Sequence, residues 1–92
     1  LTFEEVDNDK LKGIKLAVEA GKKGGTMPAV FNAANEVAVE LFLGRRIGFL
    51  DIYKAIEEAM KNHEILAGDI LENIKMADKE AREYVYKNFG GK

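Results

Sequence analysis

Between the glycine pair Gly24-Gly25 and the single Gly44 lies a run, Met27 to Leu43, in which only Asn32, Asn35, Glu36 and Glu40 interrupt apolar side chains. At about 100° per residue those four fall on one side of a helix, and the rest of the circumference is apolar. A helix of that kind has to be buried on most sides, which makes it the centre of the fold. Thr26 stands at its N-cap position. Pro28 lies in the first turn, where a missing N–H costs little. The alanines along it let neighbouring helices approach closely. Gly44 ends it, with Arg45 and Arg46 near the negative end of the helix dipole.

Three more helices are predicted around this one. The first spans Leu11 to Lys23, with Asp7, Asn8 and Asp9 as N-cap candidates and Ile14, Ala17, Val18 and Gly21 as its apolar stripe. Gly24-Gly25 terminates it. The third spans Asp51 to Asn62, with Ile52, Ala55, Ile56, Ala59 and Met60 facing the core and Phe49 as a hydrophobic staple just before it. The fourth lies within Asp69 to Phe89, on Ile70, Ile74, Ala77, Ala81, Val85 and Phe89, and the pattern leaves its continuity through Ala77-Asp78 open. Leu1 to Glu5 alternates apolar and polar residues, which reads as an extended arm over residues 1–6 leading into a bundle over residues 7–92. The expected class is all-α, a small four-helix-bundle-like domain with a short extended N-terminal arm. A chain of 92 residues suits one domain, and 47% hydrophobic residues supply one core, mostly aliphatic because aromatics are only 9%.

The charge pattern excludes several functions. Fourteen basic and sixteen acidic residues leave a net charge of −2, without the basic face of a nucleic-acid binder. No apolar run approaches the roughly 18 residues needed to span a bilayer, and the N-terminus does not have a signal peptide's basic-then-apolar order. The chain begins without Met, which raises the expectation of a fragment or processed product. Zero cysteines rule out disulfides and thiolate metal sites and fit a cytoplasmic protein.

Catalytic chemistry finds little to work with. Glu36 and Glu40 stand one turn apart, as a metal-binding pair would. Helical carboxylate sites also need a histidine three residues after a glutamate on more than one helix, and the only histidine is His63, at a predicted helix end. His63 reads as a solvated loop residue. Asn32 and Asn35 are poor helix formers, so inside a buried helix they need either partners for their amides or an external ligand. Gly21-Lys22-Lys23-Gly24-Gly25-Thr26 looks like a phosphate loop only superficially, since it lacks the G-x-x-x-x-G-K-[ST] order and follows a helix. It reads as a C-cap, a turn and an N-cap, with two lysines placed to meet an anion. Serine is absent, and Thr2 and Thr26 have no basic neighbour to activate them. No catalytic, cofactor-binding or metal-ligating residue is predicted. The stripe Asn32, Asn35, Glu36 and Glu40 is the candidate site, as a set that fixes interhelix or interdomain geometry.

The segment Pro28-Ala29-Val30-Phe31-Asn32-Ala33-Ala34-Asn35-Glu36-Val37-Ala38-Val39, with Phe42-Leu43 and Ile47-Gly48-Phe49-Leu50-Asp51-Ile52 downstream, resembles the C-terminal domain of 1-deoxy-D-xylulose 5-phosphate reductoisomerases. Leu1-Thr2-Phe3-Glu4-Glu5, Lys15-Leu16-Ala17-Val18-Glu19-Ala20-Gly21 and Asp78-Lys79-Glu80-Ala81-Arg82 agree with it in order and approximate spacing. The resemblance implies a parent enzyme of the non-mevalonate isoprenoid pathway. Such an enzyme is cytoplasmic and homodimeric, and it uses NADPH and Mg²⁺, Mn²⁺ or Co²⁺ held by an NADPH-binding domain and a central catalytic domain. Those two domains of the same chain are then this domain's partners. It carries no cofactor itself, is inactive alone, and transfers no catalytic residue. The alternative from the residues alone is a free-standing helical interaction module that binds a protein or an anion.

Overall fold

The computed structural model describes residues 3–90. Four helices follow one another: α1 Phe3–Lys23, α2 Met27–Leu43, α3 Phe49–Lys61 and α4 Leu71–Phe89. There is no strand among the described residues. The all-α class with four helices is as the sequence predicts, and α2 has the expected bounds.

The central place of α2 is also as expected. It packs against α1, α3 and α4; α3 touches both α1 and α4, whereas α1 and α4 do not meet among the described residues. The two outer helices therefore flank an α2–α3 pair rather than closing a square bundle. The result is flattened: the Cα atoms span 42 × 29 × 17 Å, and a helix with side chains is about 10–12 Å across. α2 buries Met27, Val30, Ala33, Ala34, Val37, Ala38 and Leu41, and α3 buries Ile52, Ala55, Ile56, Ala59 and Met60. α4 adds Ala77, Ala81 and Val85. Small residues dominate where α2 meets its neighbours, so the backbones come close and dispersion contacts accumulate over a short distance.

α1 departs from expectation twice. Residues 3–6, read as part of an extended arm, already belong to the helix, while residues 1 and 2 lie outside the described residues. Five alternating residues are too few to separate a period of two from one of 3.6, and no proline interrupts positions 3–23. Asp7, Asn8 and Asp9 are consequently interior to α1 rather than caps. The buried side of the helix is also different. Leu16 and Ala20 face the core, whereas Ile14 and Val18 of the expected stripe are 60% and 50% exposed. Gly13 sits against the Tyr53 ring, where an added Cβ would lie 2.6 Å from a ring carbon. That close approach turns the Leu16 side inward.

The joints between helices are tight. Gly24 and Gly25 have φ of +66° and +56°, a region that disfavours side chains. A Cβ on Gly25 would collide with the carbonyl oxygen of Leu66, and one on Gly68 would lie 2.5 Å from the carbonyl oxygen of Gly25. The loop after α3 thus lies directly on the α1–α2 turn. α2 ends at Gly44, but the left-handed residue is Arg45, φ +61°. Its N–H reaches the Phe42 carbonyl (3.0 Å) and the Arg46 N–H reaches that of Leu41 (2.8 Å), which satisfies two of the last helical acceptors. α3 starts at Phe49, two residues earlier than predicted, because Asp51 accepts the Gly48 N–H at 2.9 Å and closes the first turn. Phe49 is therefore inside the helix, edge-on to both Phe42 and Tyr53 with ring centres 5.7 and 6.0 Å apart. α4 is continuous through Ala77-Asp78, the point the sequence pattern left open. Asp78, which could compete for backbone donors, is instead held one turn on by Arg82.

Candidate functional site

The stripe predicted on α2 is one surface, and the structure divides it by partner. Asn32, Glu36 and Glu40 are exposed, and Asn35 is half-buried. Glu36 and Glu40 both reach α4. Arg82 Nη2 donates to Glu36 Oε1 at 3.3 Å, while Arg82 Nε is held by Asp78 Oδ1 at 2.7 Å. Tyr86 donates its hydroxyl to Glu40 Oε2. The Asp78-Arg82-Tyr86 register follows from i,i+4 spacing on α4, and it presents one cation and one phenol to two carboxylates a turn apart on α2. These contacts are solvent-exposed, so each is worth little in stability. They join α2 and α4 along one solvent-facing seam.

The electrostatics agree. Arg82 is raised above its ordinary value, foremost by its hydrogen bond to Asp78; desolvation is the next largest effect and opposes this, and the hydrogen bond to Glu36 adds to the rise. The Tyr86 phenol is raised from 10.0, mainly because it donates to Glu40, with desolvation and Glu40's charge adding to this and Arg82 pulling the other way. Tyr84 is raised too, first by desolvation and then by Glu58.

Asn32 and Asn35 take different places from those expected of amides in a buried helix. Asn32 faces outward, and Asn35 lines a groove with Ile14, Ala17, Phe31 and Tyr53 between α1 and α2. No buried side-chain nitrogen or oxygen among the described residues lacks a partner, so neither amide carries the penalty that its position in the sequence suggested.

A second polar cluster lies at the α1–α2 joint, where the sequence indicated only an N-cap and a solvated histidine. Thr26 is fully buried and makes no side-chain cap bond. Its Oγ1 lies 2.6 Å from His63 Nε2 and accepts the Leu66 N–H at 3.0 Å, while its own N–H donates to the Leu66 carbonyl at 3.1 Å. His63 is thus half-buried and pins the loop after α3. A polar residue beside a glycine pair was the available signal; its partners, 37 and 40 residues away, were not legible. Thr26 is consequently closed to an anion, and Lys23 pairs with Glu19 at 4.0 Å.

The arrangement does not fit a metal or a nicotinamide cofactor. Among the described residues no three His, Cys, Asp or Glu side chains are grouped to hold an ion. The two stripe carboxylates already have partners, and among the described residues there is no glycine-rich strand-to-helix turn to receive a pyrophosphate. No helix among the described residues is long and apolar enough to cross a membrane.

Residues 1–84 match the family model described as DXP reductoisomerase C-terminal domain. The chain belongs to this family. It is 49% identical over 85 residues to a 1-deoxy-D-xylulose 5-phosphate reductoisomerase of Bacillus cereus (strain AH187), a match covering 92% of this chain and 22% of that protein. It is 47% identical over 89 residues to the protein of the same name from Clostridium perfringens (strain SM101 / Type A), covering 97% of this chain and 23% of the relative. The chain therefore spans less than a quarter of the curated relatives it matches, and what it holds is the reductoisomerase C-terminal domain.

Proposed function

We propose that this domain serves, within a longer polypeptide, an enzyme that rearranges and reduces 1-deoxy-D-xylulose 5-phosphate to 2-C-methyl-D-erythritol 4-phosphate. NADPH supplies the hydride, and Mg²⁺, Mn²⁺ or Co²⁺ supplies the Lewis acid. The observation that carries the reading is identity near one half along nearly the whole chain to proteins with that activity in their name. In this reading the cofactor and the metal belong to an NADPH-binding and a central catalytic domain of the same polypeptide, which acts as a cytoplasmic homodimer. The domain's own residues position and do not react. Glu36 and Glu40 fix α2 against α4 through Arg82 and Tyr86, and Asn32 and Asn35 offer amides beside that seam to the neighbouring domain.

Two measurements test this. The purified domain, incubated with substrate, NADPH and Mg²⁺, is expected to leave NADPH absorbance unchanged; turnover above background with contaminating enzyme excluded overturns the positioning role. In the full-length enzyme, Asn35→Ala is expected to lower the melting temperature while kcat stays near wild type. A large fall in kcat at unchanged melting temperature would assign Asn35 to the active site instead.

A further inference from the structure

His63, the only histidine of the chain, follows α3 and meets a hydroxyl that solvent does not reach. Thr26 Oγ1 accepts the Leu66 N–H and lies 2.6 Å from His63 Nε2, and it makes no other hydrogen bond among the described residues. A hydroxyl has one proton and two lone pairs. With the Leu66 amide fixed as a donor, the hydroxyl proton has one place to go, the Nε2 lone pair. That bond count assigns the ring its neutral form with the proton on Nδ1. An imidazolium has no lone pair on Nε2. It could only donate to Oγ1, and the Thr26 proton would then stand in a fully buried site without an acceptor.

A second partner is at hand on the other side of the loop. A cleft of about 230 Å³ is lined by His63, Glu80 and Tyr84 above Val30, Ala59 and Ala81, and an adjoining cleft shares His63 and Glu80 and adds Glu64. The titratable groups facing the ring are therefore Glu80 and Tyr84 from α4 and Glu64 from the loop. From α2 and α3 come only Thr26, Val30 and Ala59, and no side chain of α1 and no Lys or Arg lines either cleft. Tyr84 keeps its proton at neutral and acid pH, since burial and then Glu58 raise it from 10.0. The carboxylates attract the imidazolium that Thr26 rejects.

We propose that His63 is a pH-sensitive latch on the loop over residues 62–70: the neutral ring holds Thr26 and keeps the loop on the α1–α2 turn, and the protonated ring turns into the cleft towards Glu80 and lets the loop lift. The element it controls is defined by contacts. Thr26 and Leu66 exchange hydrogen bonds across the joint, and the backbones of Gly25 and Gly68 are in close approach beside them. The sign follows from which form Thr26 accepts: the latch is shut above the imidazole range and opens as pH falls through it. The inference stands independently of the enzymatic reading.

The test is hydrogen exchange followed by mass spectrometry on the full-length polypeptide from about pH 8 to about pH 5, each rate divided by the intrinsic rate at that pH. Protection of the peptide over residues 62–70 is expected to fall at least about tenfold across this range, relative to a peptide from the α2 core over residues 33–41. His63→Gln offers Thr26 an amide oxygen that does not titrate, and its loop is expected to stay protected throughout. Glu80→Gln is an exposed substitution that keeps the shape and removes the charge drawing the ring, so the fall is expected to shrink to about threefold or less. Protection independent of pH in the wild type overturns the latch, and so does an equal fall in wild type and His63→Gln. Should His63→Gln not fold, Glu80→Gln decides alone: an undiminished fall there also overturns it.

Discussion

α1 and α2 are both long helices, of 21 and 17 residues, and they use their apolar residues in opposite ways. α2 sends Met27, Val30, Ala33, Ala34, Val37, Ala38 and Leu41 into the core and keeps a narrow outward stripe. Among the α1 side chains described, only Leu16 and Ala20 are buried, while Leu11, Ile14 and Val18 remain in solvent. Apolar content alone does not separate a core helix from a half-exposed one. The number of neighbours does: three helices surround α2, whereas among the described residues α1 meets two. The domain is therefore finished around α2 and open along α1.

Mutations can break or sharpen that contrast. The largest expected effect is at the inner end of α2, where Met27→Ala in a fully enclosed site should cost about 2–5 kcal/mol, read from the urea midpoint. A loss under 1 kcal/mol would mean that α2 is not the packed centre. At the joint of α1 and α2, Thr26→Val keeps the shape but leaves His63 Nε2 and the Leu66 N–H without their shared oxygen. The expected cost is about 1–3 kcal/mol, and amide exchange at Leu66 should accelerate. At the far end of α2 the sign reverses. Arg45→Gly relieves a left-handed non-glycine residue and should raise the urea midpoint by about 0.5–1 kcal/mol of stability.

The tie between α2 and α4 is smaller and depends on pH. Tyr84 and Tyr86 are both raised from 10.0 in the folded state, so folding favours their protonated forms. Their stabilisation is complete below pH 10 and is lost as pH rises through the elevated folded values. The urea midpoint should decline above pH 10, and Tyr86→Phe should flatten part of that decline. An unchanged slope in the variant would show that the contact with Glu40 is not maintained. The smallest effect belongs to α1, where Ile14→Ala in the isolated domain should change stability by less than about 0.5 kcal/mol. A cost comparable to that of Met27→Ala would erase the distinction between the two helices.

Much of this architecture is legible in residue order, because its causes are local. The glycine pair and Gly44 punctuate the helices, the apolar circumference of residues 27–43 calls for neighbours on most sides, and the run from Pro28 to Val39 carries the family signature. The four stripe residues fall on one face because helical periodicity puts them there. Other features depend on residues far apart along the chain, and only packing decides them. Ile14, Ala17, Val18 and Gly21 make as good an apolar stripe on paper as the Leu16 side, and Gly13 meeting the Tyr53 ring settles which one turns inward. Thr26 becomes a buried anchor because the loop carrying His63 and Leu66 is drawn over the glycine turn. Glu36 and Glu40 acquire partners because α4 lies at one particular rotation beside α2. Periodicity gives each helix its faces, whereas the contact that covers a face comes from another element, whose position no local rule supplies.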